Sequence, residues 1–312
     1  MKAPTLLLAA LAATAAANLR ANDIKPLLTA KNPNPKALPT LGVVRRGRQV
    51  LVSATFPDIP GLTCDAWCYE SPLDYLGARD LGKGVLELRH RVREHPQAVL
   101  VTVVKPEPGV VEVVARMTLD KGKAGGLPAN LPAPNICWQL TRAPAFASKP
   151  DPYPRFIKRC FIFTPAGRTF LDKTTRRKIP PRRPDDPYNN PPWVQMYVGT
   201  WQAVPKVGPT SWADYSPDRY VATVIGAVSR DAKYLVAVAN DSAPLMAQAW
   251  HDCLHNNAEW LPADVPADRR TWRVKLYALP NDPAALLRRC SRDFPGIKRQ
   301  RQGPNAKPAG AK

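Results

Sequence analysis

The chain is predicted to fold as an all-β protein, a large antiparallel β-sandwich with one C-terminal helix. Three observations favour this class. Short runs of branched residues recur between turn signals, 36 prolines against 17 glycines disfavour long helices, and 45% of the 312 residues are hydrophobic, enough for a large core. The same composition excludes a coiled coil, a collagen-like fibre, a disulfide-dense miniprotein and a multi-span membrane protein.

The N-terminal residues predict export. Lys2 precedes an uncharged run over residues 3–17, and a possible cleavage point follows Ala21. A positively charged N-terminal end, a short apolar stretch and small residues at the cleavage site are typical of a secretory signal peptide. A mitochondrial presequence is the alternative, but it should carry several arginines along an amphipathic helix, and here Arg20 stands alone. We therefore expect a signal peptide over 1–21 and a secreted or periplasmic protein.

The remaining chain divides into three parts. Residues 22–41 are rich in Pro and Lys and predict a tether, residues 42–296 predict one strand-rich domain, and residues 297–312 are polar and basic, typical of a disordered tail. In 85–92 and 271–279 apolar and charged residues alternate, so the apolar side chains should face the core and the cations should face outward. The predicted strands are 49–56, 85–92, 98–104, 110–119, 136–141, 156–164, 193–203, 220–229, 234–239 and 271–279.

One helix is predicted near the C-terminal end of the domain. Asp282 is a typical N-cap, Pro283 suits the first helical position, and Pro295 ends the helix. Apolar side chains recur at helical spacing and should face the core. They are Leu286, Leu287, Cys290 and Phe294.

The six cysteines admit two interpretations. Only Cys64 and Cys68 are close in sequence, and in an oxidising compartment they can close a small disulfide-bonded loop. Buried free thiols are the alternative, favoured for Cys137 and Cys160 because both lie in apolar runs. A zinc site built from paired cysteines is not predicted, because no second pair has a similar spacing.

Part of the chain resembles a known group of proteins. The segment over 269–294, RRTWRVKLYALPNDPAALLRRCSRDF, resembles the closing strand and helix of bacterial secreted proteins with the galactose-mutarotase-like β-supersandwich. The segment over 250–257, WHDCLHNN, resembles a loop that precedes that strand in some of them. The resemblance implies a supersandwich-like fold and a role around polysaccharide breakdown, as a mutarotase-like enzyme, a lyase domain or a non-catalytic companion. Mutarotases use a His acid and a Glu base. This pair cannot be assigned here, because the only nearby glutamate, Glu259, lies in the same segment as His251 and His255.

The same region holds the candidate catalytic residues. A histidine beside a carboxylate can transfer protons near neutral pH, and glycosidic hydrolysis needs two carboxylates about 5–10 Å apart. The residues of suitable type are His251, His255, Asp252, Asp214 and Asp218. A shared metal needs His251 and His255 one helical turn apart, whereas an extended segment separates them by about 13 Å. Because the resemblance favours an extended or loop structure, no metal is predicted, and without a nucleotide-binding signature no cofactor is predicted either.

Aromatic and amide side chains beside these carboxylates favour a sugar site, because sugar CH faces stack on rings and sugar hydroxyls need acceptors. The candidate ligand-binding residues are Trp212, Tyr215, Trp250, Asn256 and Trp260. The alternatives are structural. Tryptophans can pack in the core or at its rim, aspartates can form turns, and histidines can fix a loop.

The charge predicts an anionic partner. Lys and Arg number 45 against 25 Asp and Glu, a formal net charge of +20. For an exported protein the partner would be an acidic or sulfated polysaccharide. Nucleic acid is the rival, disfavoured by the export signal and the lack of a nucleic-acid-binding module, and a solvated loop without a ligand is the plainest alternative. A proline-stiffened loop supplies the candidate polyanion-binding residues Arg176, Arg177, Lys178, Arg182 and Arg183.

We therefore expect a secreted, carbohydrate-associated protein that binds glycan or assists polysaccharide processing, with no nucleic-acid partner and no membrane span. The first alternative is a glycan-acting hydrolase, lyase or epimerase with a His/Asp site. The second is an envelope or scaffold protein whose basic loop binds polyanions without selectivity.

Overall fold

The computed structural model describes residues 24–47, 49–68, 73–120, 135–140, 142–146, 156–175, 194–204, 213–241, 245–248, 252–257 and 271–295. The predicted signal peptide over 1–21 and the basic tail over 297–312 lie outside these residues. Within them the all-β sandwich is confirmed, because eighteen strands form two nine-stranded sheets and an eleven-residue α-helix follows the last strand. No helix in the described ranges is long and apolar enough to cross a membrane.

The elements are numbered in chain order. The strands are β1 (Ile24–Thr29), β2 (Thr40–Arg46), β3 (Gln49–Thr55), β4 (Thr63–Cys68), β5 (Leu73–Gly82), β6 (Val85–Val92), β7 (His95–Glu107), β8 (Val110–Leu119), β9 (Asn135–Gln139), β10 (Cys160–Thr164), β11 (Gly167–Phe170), β12 (Val194–Tyr197), β13 (Ala213–Tyr215), β14 (Val224–Val228), β15 (Tyr234–Asn240), β16 (Leu245–Gln248), β17 (Cys253–Asn257) and β18 (Thr271–Pro280). The helix α1 is Pro283–Asp293.

The two sheets have different strand orders. Sheet A runs β1-β2-β3-β4-β9-β17-β16-β12-β13, and sheet B runs β11-β10-β14-β15-β18-β8-β7-β6-β5. Neighbouring strands are antiparallel except β12 and β13, which are parallel. The last strand of each sheet in sequence therefore occupies an interior position, β17 between β9 and β16 and β18 between β15 and β8.

The two segments in which apolar and charged residues alternate, 85–92 and 271–279, both form strands, β6 and β18. Residues 85–92 form β6, in which Leu86 and Leu88 are buried and Arg89 is exposed. Three predicted strands are shorter than expected, since 156–164 forms a strand only in β10, 193–203 only in β12 and 220–229 only in β14. The apolar–charged alternation therefore located the strands better than it located their ends.

One segment differs from the expectation. Residues 22–41 were expected to form a tether, but they contain β1, which pairs with β2 along the edge of sheet A. Pro26 is tolerated there because an edge strand pairs on one side only. Leu28 packs against the core and Ala30 is 3% exposed, so this segment belongs to the domain.

A buried hydrogen-bond network joins the two sheets. Asn256 on β17 accepts a hydrogen bond from the Asn240 side chain on β15 at 2.6 Å. The Asn256 amide nitrogen donates to the backbone carbonyls of Thr223 and Val238 at 2.9 and 3.0 Å. Because its amide is satisfied by sheet B, Asn256 fixes the position of one sheet on the other.

The predicted helix is confirmed. Asp282 accepts a hydrogen bond from the backbone N–H of Ala285 at 2.9 Å, and Pro283 is the first helical residue. Leu286 and Cys290 are buried in a second apolar cluster with residues of β10, β14 and β15, so α1 covers part of the outer face of sheet B.

The five cysteines whose side chains the structure describes are free thiols. The disulfide between Cys64 and Cys68 is not formed, because both residues lie on β4 and four residues of extended strand separate their Cα atoms by about 13 Å. A disulfide needs Cα atoms closer than about 7 Å. The buried free thiols are Cys64, Cys137, Cys160, Cys253 and Cys290.

Candidate functional site

Many of the predicted site residues lie outside the described residues, so their roles stay predictions. Asp214 lies in β13, but its side chain is also outside the described set. The others are His251, Trp212, Trp250 and Trp260 of the predicted sugar site and Arg176, Arg177, Lys178, Arg182 and Arg183 of the basic loop.

Asp218 stabilises a turn. Its carboxylate accepts a hydrogen bond from the backbone N–H of Thr175 at 2.5 Å, and its own N–H donates to Ser216 Oγ at 3.1 Å. The Ser216 hydroxyl donates to the Thr175 carbonyl at 2.9 Å. Asp218 therefore joins the end of β13 to the segment after β11, which is the turn-forming role that the sequence left open.

His255 and Asn256 lie on opposite faces of β17, because successive side chains alternate across a strand. Asn256 faces sheet B and is 0% exposed, whereas His255 faces away from sheet B and is 2% exposed. Asp252 precedes the strand and is buried. His255 and Asn256, both predicted as site residues, therefore do not face the same side of sheet A.

A row of side chains crosses the outer face of sheet A. Strand register aligns Cys137 with His255, His255 with Ala247, Ala247 with Met196, and Met196 with Tyr215. Tyr215, a predicted ligand-binding residue, is half-buried against the apolar cluster of this face, and burial raises the pKa of its hydroxyl. This face is thus largely closed to solvent although it lies on the side away from sheet B.

Two thiols and an imidazole meet in this face. His255 Nε2 lies 2.6 Å from Cys253 Sγ and 3.8 Å from Cys137 Sγ. Burial raises the pKa of the Cys253 thiol well above its ordinary value, and the neighbouring Cys137 raises it further. Cys253 is therefore a neutral thiol near pH 7 and not an activated nucleophile. We call these three residues the Cys–His cluster.

The outer face of sheet B carries a shallow depression near its β5 edge. Its volume is about 240 Å³, and it is lined by Gly77, Ala78, Arg79, Glu87 and Arg89. The register between β5 and β6 slips at Gly77, whose φ of 149° suits glycine, and a Cβ at this position would meet nothing within 4 Å. The missing side chain leaves the floor of this Gly77 depression open.

Cations predominate around the Gly77 depression. Arg79 forms a two-contact ion pair with Glu87, at 2.9 and 3.0 Å, and this pairing raises the pKa of Arg79. Arg89 lies two residues from Glu87 on the same face of β6 and is exposed. Arg116 aligns with Arg89 through Val101, two strands away or about 10 Å. The depression therefore has two lining arginines against one lining acid, with a third arginine nearby.

The sequence indicated only part of these two sites. Alternation over 85–92 placed cations on the outer face, but β5 has two glycines and few branched residues, so the strand beside them was not predicted. The spacing of Cys253 and His255 signals a shared face once the segment is known to be a strand. Cys137 joins them from 118 residues away, and no local pattern signals that pairing.

Comparison with known proteins gives no assignment. No protein-family model matches the chain, and no curated protein matches it. Two solved structures show low similarity. The Slr1438 protein from Synechocystis sp. PCC 6803 is 10% identical, with 81% of this chain and 95% of that chain covered at a TM-score of 0.40. HI1317 is 7% identical, with 82% and 99% covered at a TM-score of 0.32, and values this low carry no argument about function.

Proposed function

We propose that the protein is a secreted, carbohydrate-associated protein that binds an acidic polysaccharide on the outer face of sheet B. The observation that supports this function is the Gly77 depression, where two guanidinium groups flank an open backbone floor. The formal net charge of +20 favours any polyanion at long range, whereas the depression supplies a defined position for one acidic group.

The chemistry of the lining residues suits a carboxylate or sulfate group on a sugar. Guanidinium groups bind such oxyanions through two parallel hydrogen bonds. The Arg79 side chain is 67% exposed and Arg89 is also exposed, so both can contact a ligand from solvent. A volume of about 240 Å³ suits one sugar ring, since pockets for drug-sized ligands start at about 300 Å³.

Glu87 opposes this binding. Its carboxylate neutralises Arg79 and would repel an incoming acidic sugar. The Glu87→Gln variant should therefore bind an acidic polysaccharide about two- to fivefold more tightly, the size expected for one partly exposed charge. Arg89→Ala should bind it about tenfold less tightly, because a charge-assisted bidentate contact is lost.

The test is a binding measurement on a uronic acid polymer, a sulfated polymer, a neutral glucan and duplex DNA, at low and near-physiological salt. Arg288→Ala is the matched control, because Arg288 is 72% exposed on α1 and its loss changes the net charge equally. We expect binding of one acidic polymer to persist at physiological salt, to weaken in Arg89→Ala and to be unchanged in Arg288→Ala.

Two results would overturn the proposal. Equal loss in Arg89→Ala and Arg288→Ala would show that overall charge, and not the Gly77 depression, drives binding. Salt-resistant binding of duplex DNA in preference to every polysaccharide would assign the surface to nucleic acid.

The export part of the proposal rests on residues 1–21. It is tested by the mass of the protein isolated from the medium or the periplasm. We expect the N-terminus to begin near Asn22, whereas an uncleaved chain retained in the cytoplasm would refute export.

A further inference from the structure

We propose that Cys137, Cys253 and His255 bind one zinc ion on the outer face of sheet A. The site is separate from the Gly77 depression, which lies on the other sheet, so the two proposals stand or fall independently. Two sulfurs and an imidazole nitrogen form a ligand set of the kind that zinc takes in proteins.

Strand pairing brings the three side chains together. Cys253 and His255 are two residues apart on β17 and share its outer face. Cys137 lies on the neighbouring strand β9, directly opposite His255. Both strands are interior strands of sheet A with pairing on each side, so the backbone beneath the cluster is held rigidly.

The separations are within about 1 Å of those that a tetrahedral ion imposes on three of its ligands. With Zn–S of about 2.3 Å and Zn–N of about 2.0 Å, two ligands on one zinc lie about 3.5 Å apart for S–N and about 3.8 Å for S–S. The two S–N distances here are 2.6 and 3.8 Å, and all three ligand atoms lie within 4.8 Å of one another. A shift of about 1 Å of the closer pair, within reach of χ1 adjustments, gives three corners of a tetrahedral zinc site, and the fourth corner would take a water or another non-protein ligand.

The charge of the site also suits zinc. Cys137, Cys253 and His255 are 3%, 0% and 2% exposed; the two cysteines pack in an apolar cluster, and the buried Asp252 carboxyl acts electrostatically on Cys253. An isolated ion is costly in such surroundings, but Zn²⁺ with two thiolates and a neutral imidazole carries no net charge. Two thiol protons are released to solvent when the ion binds, and no oxidant or reductant is required.

A disulfide is the competing use of the same thiols, and the register disfavours it. Cys253 pairs with Gln139, whereas Cys137 pairs with His255, so the two cysteines are diagonal neighbours. Diagonal residues in an antiparallel pair lie about 7–8 Å apart, beyond the usual Cα separation of about 4.4–6.8 Å in a disulfide. A bound ion spans that separation without moving the strands.

The experiment measures metal on the full chain purified without chelators. We expect one zinc per chain by elemental analysis, and zinc removed under denaturing conditions should return on refolding with ZnCl₂. Replacement by Co²⁺ should give the thiolate-to-cobalt charge-transfer band and the intense visible bands of a tetrahedral ion. Thermal unfolding should occur at higher temperature with zinc than without it.

Variants locate the ion. Cys253→Ala and His255→Gln should weaken zinc binding more than about 100-fold, since even the loss of an outer hydrogen-bond partner costs about 10–100-fold. Cys64→Ala is the matched control, because Cys64 is equally buried in sheet A but faces the main core. Circular dichroism of each variant separates loss of the ion from loss of the fold.

Three outcomes would overturn the proposal. One is a wild-type chain that folds and binds neither Zn²⁺ nor Co²⁺ at micromolar concentration. Another is a cobalt complex without the charge-transfer band, which would place the ion away from the thiols. The third is a folded Cys253→Ala variant that keeps the full zinc content, which would assign the metal to other residues.

Discussion

His90 makes the stability of the fold sensitive to acid. It lies on β6 and is 4% exposed, with its ring centroid 5.6 Å from that of Tyr75. Burial lowers the pKa of His90 from 6.5 to about 4, because the charged imidazolium loses its hydration inside the protein. In the unfolded chain the ring keeps its ordinary pKa of about 6.5.

The magnitude follows from this difference. Above pH 6.5 the ring is neutral in both states and imposes no cost. As the pH falls below that value, His90 binds a proton in the unfolded chain, whereas in the folded chain it binds one only near pH 4. The folded state therefore loses stability relative to the unfolded state. At 1.36 kcal/mol per pH unit, the free energy of unfolding falls by about 2 kcal/mol at pH 5 and about 3 kcal/mol at pH 4.

The assay is urea unfolding of the wild type and of His90→Leu between about pH 7 and pH 4. Carboxylates titrate in both proteins, so the difference between the two curves isolates His90. We expect His90→Leu to lose about 2 kcal/mol less than the wild type on going from pH 7 to pH 5. Parallel curves for the wild type and His90→Leu would refute the reasoning, because they would mean that the His90 ring has the same pKa in the folded and the unfolded chain.

Three further substitutions test how the fold is stabilised. Asp282→Ala removes the N-cap of α1 and should cost about 1 kcal/mol in urea unfolding, while Asp282→Asn keeps an acceptor and should cost much less; equal costs would contradict the cap. Arg142→Met removes hydrogen bonds of 2.9 and 2.5 Å to the Asp65 carboxylate, which is 1% exposed, and should cost about 3–5 kcal/mol; a loss under about 1 kcal/mol would show that Asp65 does not need that partner. Gly226→Ala places a Cβ 2.5 Å from the Phe161 ring and 2.8 Å from a backbone oxygen, so the thermal midpoint should fall by an amount equal to about 1–3 kcal/mol; an unchanged midpoint would mean that β10 and β14 can separate at no cost.

Local patterns predicted the elements whose structure is decided locally. The cap, the first proline and the apolar spacing of α1 all lie within a dozen residues, and the alternation in β6 needs no knowledge of its partners. The prediction of a tether over 22–41 was wrong because the structure of this segment is decided by a distant partner strand and not by its own sequence pattern. β1 contains Pro26 and little alternation, and it is a strand because β2 offers it an edge.

The candidate sites depend on pairings that composition does not encode. Gly77 leaves a depression only because β5 bulges beside β6, and Cys137 meets His255 only because β9 and β17 are neighbours. Half of the predicted sugar site, including Trp212 and His251, lies outside the described side chains and stays a prediction. The same holds for the resemblance to galactose-mutarotase-like proteins and for export.

The interior positions of β17 and β18 have a consequence for how the chain acquires its structure. β8 and β15 are connected in sheet B only through β18, which lies between them. The pairing of β18 with β8 joins residues about 160 positions apart, for example Thr271 with Arg116. β9 and β16 depend on β17 in the same way. An incomplete chain emerging from the ribosome therefore holds two half-sheets with unpaired interior edges, which are surfaces prone to association with other chains. Folding of this protein is therefore expected to be slow and to be completed only after residue 280 has been synthesised.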